Sequence, residues 1–388
     1  MGQNPEYVLS PSARINRSSP GRQLTLHAGL GNTRASFPLE AKLEAEFVQM
    51  FLRLSTPADR GLIVDHVSEV LEVDPGSAEA VVKFLIENEI LVSVDAARTL
   101  EQCVRTWSRY GWKDPAIFHL ATFGQPFDPD NTGKAGYDEF YAELLDDDSV
   151  IAQPPANIER VPLAGTSPLR FAERAAPNVS MDGVLAGTKP VYAYLDPNIT
   201  LEDAFHIVDP VFKSRRRADS GLGEIVFKSF PSGGARHPLE VYLVVKEVPD
   251  APSGVYHFSA ANRTLTMVAD EKLARKIDSA CFLKRGVQSS NIAVVVTCRW
   301  IRHIWKYRYA RSYRMIEMEI GHAVQSLNLS ASASGYELYY CPSMDDEKLT
   351  EICALSDPLD EGPVIVLALG KNGMTAEDYH ERFDVEPR

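Results

Sequence analysis

Two hydrophobic rhythms divide the chain. In AEFVQMFL, from Ala45 to Leu52, apolar residues fall at the three- and four-residue intervals of one helix face, and Ile63–Val73 and Ser77–Glu89 repeat the pattern. Ile90-Leu-Val-Ser-Val94 then changes to the period of a short strand. Helix, short helix, longer helix and strand is a winged-helix order, predicted over residues 22–98 with Ser77 as N-cap of the third helix. Residues 99–150 read as a helical spacer, from WSRYGWKDPAIFHLATFGQPF to the acidic Leu144-Leu-Asp-Asp-Asp148, and Pro154, Pro155, Pro162 and Pro168 mark a connector.

Beyond the connector both periods alternate. Helices are predicted near Leu201–Phe212, Glu271–Phe282, Met315–Ser334 and Asp345–Leu355. Strands are predicted near Leu239–Val245, Val255–Ser259, Thr264–Ala269, Ile292–Cys298, Glu337–Tyr340 and Val364–Leu369, with a β-hairpin turning around Asn262. This makes residues 151–372 an α+β domain. A polar, Ser/Pro-rich stretch at 1–21 reads as a flexible lead-in, and 373–388 as a tail.

Composition narrows the function. With 388 residues, 45% hydrophobic and 24% charged, the chain can build two cores. The longest apolar runs, Ile292–Thr297 and Val364–Leu369, are too short to cross a bilayer. The N-terminus lacks an apolar signal region, and Glu6 stands where a myristoylation motif has Ser or Thr. Cys103, Cys281, Cys298, Cys341 and Cys353 show no CxxC spacing, which predicts reduced thiols, no zinc site and a cytoplasmic location. A net charge of −13 argues against general nucleic-acid binding. The third helix sets Glu79, Glu87 and Glu89 against Lys83, so it is no DNA reader; such a winged helix is suited to offer its strand edge to an extended peptide.

Four stretches carry candidate chemistry. FPSGGARHPLEVYLVV, from Phe230, places Ser232, Gly233, Gly234 and Ala235 before a strand, where small residues make a tight loop or let the backbone approach a flat or anionic ligand. FDPDNTGKAGYDEF has the oxygen spacing of a calcium loop from Asp128 to Glu139, but Pro129 and Ala135 fit it poorly and an acidic turn is the simpler reading. VTCRWIRHIWKYRYARSYR interleaves Arg299, Arg302, Lys306, Arg308, Arg311 and Arg314 with aromatics, a pattern for an anion or a flat ring. The helix after it carries Ile316, Ile320, Ala323, Val324, Leu327 and Ala331 on one stripe, suited to packing against a twofold mate, with His322 and Gln325 on a neighbouring one. GxSxG, P-loop, HExxH and Rossmann signatures are absent from the sequence.

Taken in order, PSGGARHPLEVYLVV, GVYHF, WKYRYARSYRMIEMEIGHAVQSLNLSASASGYEL and EGPVIVLALGK resemble the nitroreductase superfamily, and most closely its SagB/ThcOx (McbC-like) branch. The front end and WSRYGW…FHLATF resemble that branch too, so the likeness spans residues 22–372. It implies an FMN-binding domain with a central mixed or antiparallel sheet flanked by helices, preceded by the winged-helix-like domain and the spacer. It also implies an FMN-dependent peptide dehydrogenase that oxidises thiazolines or oxazolines in ribosomally made peptides, passing a proton to a base and a hydride to flavin N5, with oxygen as reoxidant. On this likeness Ser232, Gly233, Gly234 and Ala235 line FMN bound to the partner subunit, and Arg236 and His237 meet its ribityl or phosphate side. Lys306 and Tyr307 are the catalytic pair, helped by the charges of Arg302, Arg308 and Arg311; Arg174, Gln325, Gly370 and Lys371 complete the cofactor contacts.

The implied partners are a precursor peptide whose leader the N-terminal domain recognises, a second copy of the chain, and other peptide-modifying enzymes. The sequence departs from the branch at Arg174-Ala-Ala-Pro-Asn178, where only the first Arg of the phosphate run remains, at Gln325-Ser326, and at Cys341-Pro-Ser-Met344 in place of a Gly-Gly element. These departures leave two alternatives: an NAD(P)H-dependent nitro or quinone reductase, and a catalytically degenerate peptide-binding scaffold.

Overall fold

Strand sequences apolar at every position, such as LEVYLVV, need cover on both faces, and the structure supplies it. The computed structural model describes residues 5–11, 13–17, 24–28, 35–39, 44–122, 153–187, 195–196, 198–219, 223–308 and 310–372. The chain divides into two compact units, residues 1–141 and 142–388.

In the first unit the strands are β1 (Glu6–Leu9), β2 (Arg14–Arg17), β3 (Leu24–Ala28), β4 (Ala35–Leu39), β5 (Ala58–Asp59) and β6 (Leu91–Ser93). The helices are α1 (Glu44–Leu54), α2 (Arg60–Leu71), α3 (Pro75–Glu87), α4 (Val94–Ser108) and α5 (Lys113–Thr122). β1 pairs antiparallel with both β5 and β6, and β2–β3–β4 form a separate meander. The expected flexible lead-in is corrected here, because Glu6–Leu9 is the central strand of the first sheet. Met50, Leu54, Ile63, Val67, Ala78, Val82 and Leu85 close the core of α1–α3, as their spacing predicts. The N-cap of α3 is Asp74, not Ser77: Asp74 Oδ1 accepts from the N–H groups of Gly76 and Ser77, and Pro75 at the first helical position needs no N–H partner. Ser93 caps α4, so β6 passes directly into a helix.

In the second unit α6 (Met181–Gly187), β7 (Leu195–Asp196), α7 (Leu201–Phe212), β8 (Arg216–Asp219) and β9 (Glu224–Phe227) lead into the main sheet. Its strands are β10 (Leu239–Val245), β11 (Gly254–Ser259), β12 (Thr264–Asp270), β13 (Ile292–Arg299), β14 (Glu337–Cys341) and β15 (Glu361–Asn372). They are ordered β12-β11-β10-β13-β15-β14 with β7 added to β15, and every one of these pairings is antiparallel. Short helices α8 (Glu271–Ala274), α9 (Ile277–Ala280), α10 (Arg285–Ser289) and α11 (Trp300–Ile304), the long α12 (Tyr313–Ala333) and α13 (Asp346–Ile352) complete it.

Alternation along β10 sends Leu239, Val241, Leu243 and Val245 to one face, under α7 and α12, and Tyr242 and Val244 to the other, under α8, α9 and α13. The single helix expected over Glu271–Phe282 is instead two turns, α8 and α9, ending at Phe282 and Leu283, which both have positive φ. The stripe Ile316, Ala323, Val324, Leu327, Ala331 is buried against its own sheet, which corrects its assignment to a twofold mate. The small end of α12 packs within the subunit as well, Ser330 Oγ donating to Ile207 O and Ser332 Oγ to Val184 O. The stretch Asp128–Glu139 lies outside the described residues. Among the described residues, no His/Cys/Asp/Glu cluster could hold a metal, and no helix is long and apolar enough to cross a membrane. Cys281, Cys298, Cys341 and Cys353 are free and buried.

Candidate active site

The turn before β10 is built at close quarters. Ala235 N–H donates to Ser232 O, Arg236 N–H to Gly233 O, and His237 N–H to the Ser232 hydroxyl, closing residues 232–237 on themselves. Gly234, Ala235 and His237 hold φ of 54°, 53° and 43°, left-handed positions on either side of right-handed Arg236 that only glycine adopts without cost. A Cβ on Gly233 would stand 2.5 Å from Met315 Cε. One on Gly234 would stand 2.7 Å from the Tyr307 hydroxyl and 2.9 Å from Lys306 Nζ. The glycines are therefore required twice, by backbone angle and by space. Strain of this kind concentrates at ligand sites.

Lys306 and Tyr307 thus meet over the loop, and Lys306 is buried there. His303 stacks on Tyr307 at 4.8 Å between centroids while its Nε2 pairs with Ser312 O, and burial brings its pKa down to about 4. Arg236 folds back, Nε donating to Gly234 O and the guanidinium lying over Trp305. His237 turns inward, away from the ligand side assigned to it from the sequence: its ring is 3% exposed and its Nε2 accepts from Lys228 N–H.

The supposed basic face is likewise partly interior. Arg302 is 2% exposed, its Nη1 donating to Glu240 Oε1 at 2.5 Å and to His237 O, its Nε to Pro155 O. Its charge is committed to Glu240 and does not assist Lys306 and Tyr307 as expected. Burial alone would raise the Glu240 carboxyl, but Arg302 and the hydrogen bond from His257 hold it far below the carboxylate range. Burial brings Lys228 down to about 8, with Glu240 opposing. Arg299 is also paired, to Asp360 at 3.1 Å.

A second group forms elsewhere on the unit. Arg174 Nη1 donates to Asp203 Oδ1 at 2.8 Å, Tyr336 donates to Asp203 Oδ2, and Lys371 Nζ lies 5.6 Å from the Tyr336 ring centroid. Two residues assigned to a phosphate, Arg174 and Lys371, are therefore brought to one tyrosine, with Gly370 beside Lys371 on β15. Gln325 is exposed on the outer face of α12, next to exposed His322 and Gly321. In the first unit a cleft of about 560 Å³ is lined by Tyr7, Ile86, Leu91, Val92, Ala96 and Leu100. It lies against β1, β6, α4 and the end of α3, where Ile86 and Glu89 line it, while Glu79 pairs with Arg60 and Glu87 with Lys83.

Sequence reading missed Lys228, Glu240, His257, Glu319, Asp203 and Tyr336. Glu240 carried a signal, since a charge inside a run buried on both faces must be paired. Its partners come from β11 and α11, which only folding identifies.

The antiparallel sheet, the covering α12 and the glycine loop at the mouth of β10 define a nitroreductase-fold domain. Residues 188–371 match the Nitroreductase family model. A nitroreductase-type protein of Methanocaldococcus jannaschii is 25% identical over 193 residues, 50% of this chain and 91% of that one. The trifolitoxin-processing protein TfxB of Rhizobium leguminosarum bv. trifolii is 29% identical over 163 residues, 41% of this chain and 42% of its own. The microcin B17-processing protein McbC of Escherichia coli is 30% identical over 152 residues, 37% of this chain and 54% of its own. The chain thus spans about half the length of these two peptide-processing relatives. Residues 188–371 thus carry a nitroreductase-type domain, in a chain similar to the SagB/McbC-like proteins TfxB and McbC.

Proposed function

We propose that this chain is an FMN-dependent dehydrogenase acting on a ribosomally made peptide, most simply on a thiazoline or oxazoline ring. The observation that carries this reading is the cradle at Gly233–Gly234, where Lys306 and Tyr307 reach a backbone that no side chain can cover. The residues present fit a flavin in part: Gly233 and Gly234 without Cβ for the flat ring, two donors beside them, and Lys371 for a phosphate, with Arg174 available there only by leaving Asp203 and Glu202. Bound there, the flavin would supply the two-electron acceptor. Lys306 and Tyr307 would take the substrate proton, and the loop backbone would orient the ring. The names of TfxB and McbC support a modified peptide as substrate.

The sheet register supports a shared site. The loop precedes Leu239, which pairs with Cys298, whereas Ile292 at the other end of β13 pairs with Leu369, two residues before Lys371. Six residues of strand separate these ends, roughly 20 Å at ~3.4 Å per residue. A ribityl chain and phosphate do not bridge that distance. In this reading one flavin using both groups draws them from two chains. The exposed side of α12, with Met318, Gly321, His322 and Gln325, is the face left for a second copy. Sedimentation should show a dimer in the FMN-loaded protein; a loaded, active monomer contradicts the shared site.

The test of function is FMN titration followed by incubation with candidate precursor peptide, scored as loss of two hydrogens by mass. Gly234→Ala should weaken FMN binding about tenfold, because a left-handed non-glycine residue costs ~1–2 kcal/mol before any contact is broken. Unchanged affinity, or no thermal shift with FMN for the parent protein, rejects the cradle. The first-unit cleft, and the edge of β6 beyond β1, are where the leader peptide would lie in this reading. The further partners would be other enzymes acting on the same peptide.

A further inference from the structure

The start of α7 is closed by side chains of its own unit. The first free N–H groups of a helix, together with its dipole, make a ready anion site. Here they are already taken. Leu201 N–H donates to Asp250 Oδ1 at 2.9 Å, Glu202 N–H to Asp250 Oδ2 at 3.0 Å, and Asp203 N–H to Thr200 Oγ1 at 3.0 Å. An internal carboxylate stands where an outside anion would.

The cation beside this helix end is occupied in the same manner. Arg174 Nη1 donates to Asp203 Oδ1 at 2.8 Å, and its Nη2 lies 3.7 Å from Glu202 Oε1. Asp203 Oδ2 accepts from the hydroxyls of Thr200 and Tyr336, each at 2.8 Å. Burial works against the Asp203 charge, but the hydrogen bonds from Arg174, Thr200 and Tyr336 outweigh it and hold the carboxyl below its ordinary range. Burial and the Asp203 bond raise Tyr336 to about 12, so its hydroxyl remains a donor. An external phosphate must therefore displace a fixed carboxylate before it meets Arg174.

We infer that Asp203 is a positioning residue acting through Arg174: it stands in for a ligand phosphate, holds the guanidinium from one, and so limits how strongly this unit prefers FMN over riboflavin. The identity of the ligand rests on the flavin reading above; the Asp203–Arg174 latch does not. In Asp203→Asn the amide oxygen can still accept from Thr200 and Tyr336, which sets the NH2 group against Arg174, donor against donor. Arg174 is half-exposed and can turn away without disturbing the core. Its donor fork is then open to a phosphate, and one negative charge that repels a dianion is gone. Both changes act in the same direction.

The test uses the full chain and two kinds of probe. Inorganic phosphate is read as a thermal shift at constant ionic strength against chloride, and FMN and riboflavin as two dissociation constants. In the parent, phosphate should add nothing beyond the chloride control. In Asp203→Asn it should raise Tm with concentration, and adding Arg174→Gln to that variant should remove the gain. The preference for FMN over riboflavin should widen about tenfold in Asp203→Asn, the size of one charge-assisted contact, and fall back in the double variant. Weaker capping lowers the Tm of a variant but not its phosphate dependence, so a merely structural Asp203 would not give this pattern. A phosphate shift equal in parent and variant, absent from Asp203→Asn, or surviving Arg174→Gln overturns the latch. An unchanged flavin preference beside a phosphate shift overturns its role toward FMN. Should Asp203→Asn not fold, Asp203→Ser keeps a hydroxyl without the charge and gives the same comparison. If no protein binds either flavin, the flavin reading fails while the phosphate shift still decides the latch.

Discussion

Lys306→Ala and Tyr307→Phe are each expected to retain FMN and to reduce it with peptide at least about 10-fold more slowly, the lower side of the ~10²–10⁴-fold that one general base supplies. Both side chains end within 3 Å of where a Gly234 side chain would begin, so they address the same point in space. Lys306 is held there by burial at 8% exposure, with its ammonium 5.6 Å from the Tyr307 ring centroid. Residues acting on one proton are not additive, so the double variant should be little slower than the worse single one. Stopped-flow single turnover separates flavin reduction from peptide binding and product release. Parent rates in both variants would move the base to His322, which is exposed on the outer face of α12.

Arg302→Ala should cost about 3–5 kcal/mol of stability, the usual loss when one partner of a buried ion pair is removed. The cause lies in what remains. Glu240 stays buried on β10 with His257 as its remaining hydrogen-bond partner and Lys228 nearby, and His237 O and Pro155 O lose their donor. The loss should also depend on pH. In the parent, Glu240 has a depressed pKa and contributes stability that is present above its unfolded pKa and lost as pH falls through the folded value. Without Arg302 the largest source of that depression is gone, so the gap between variant and parent should be largest near neutrality and narrow on acidification. Urea denaturation at two pH values measures it, and Arg302→Met with Glu240→Gln should lose less than the two single changes summed. A gap independent of pH would mean that packing of the guanidinium stem, rather than its charge, carries the effect.

The two variants probe opposite sides of one loop. Lys306 and Tyr307 meet it from the ligand side, whereas Arg302, Glu240, Lys228, His237 and Glu319 lie beneath it. The Arg302–Glu240 pair, hydrogen-bonded also to His257, His237 O and Pro155 O, is a paired support under β10.

Much of this was legible in the residues themselves. LEVYLVV is a strand from Leu239 to Val245 because β-branched and apolar side chains at every position suit a backbone covered on both faces, and the boundaries match. Leu201–Phe212 is a helix because Thr200 can cap it and its apolar residues share a stripe. The two glycines before Pro238 announced a close approach, although they did not say to what. Local propensity and periodicity are short-range properties, and a sequence carries them in full.

What approaches those glycines was decided by tertiary structure. Arg302 and Lys306 are four residues apart in one basic run, yet one is sunk against Glu240 and the other rises over Gly234. No pattern of charge along the chain separates them, because the distinction lies in which neighbours β10 and β11 bring. The stripe on α12 was correctly apolar but was assigned to a partner, since periodicity gives a face and not what covers it. Glu319 passed unnoticed for the same reason. In sequence it is one more glutamate in a helix with Glu317, and only the fold puts one in solvent and the other in the interior, beside Ser232 and His237. The sequence determined most of the elements and the small-residue turn; desolvation and long-range pairing, which exist only once the sheet is assembled, determined which of its charges are sunk as support and which reach the glycine loop.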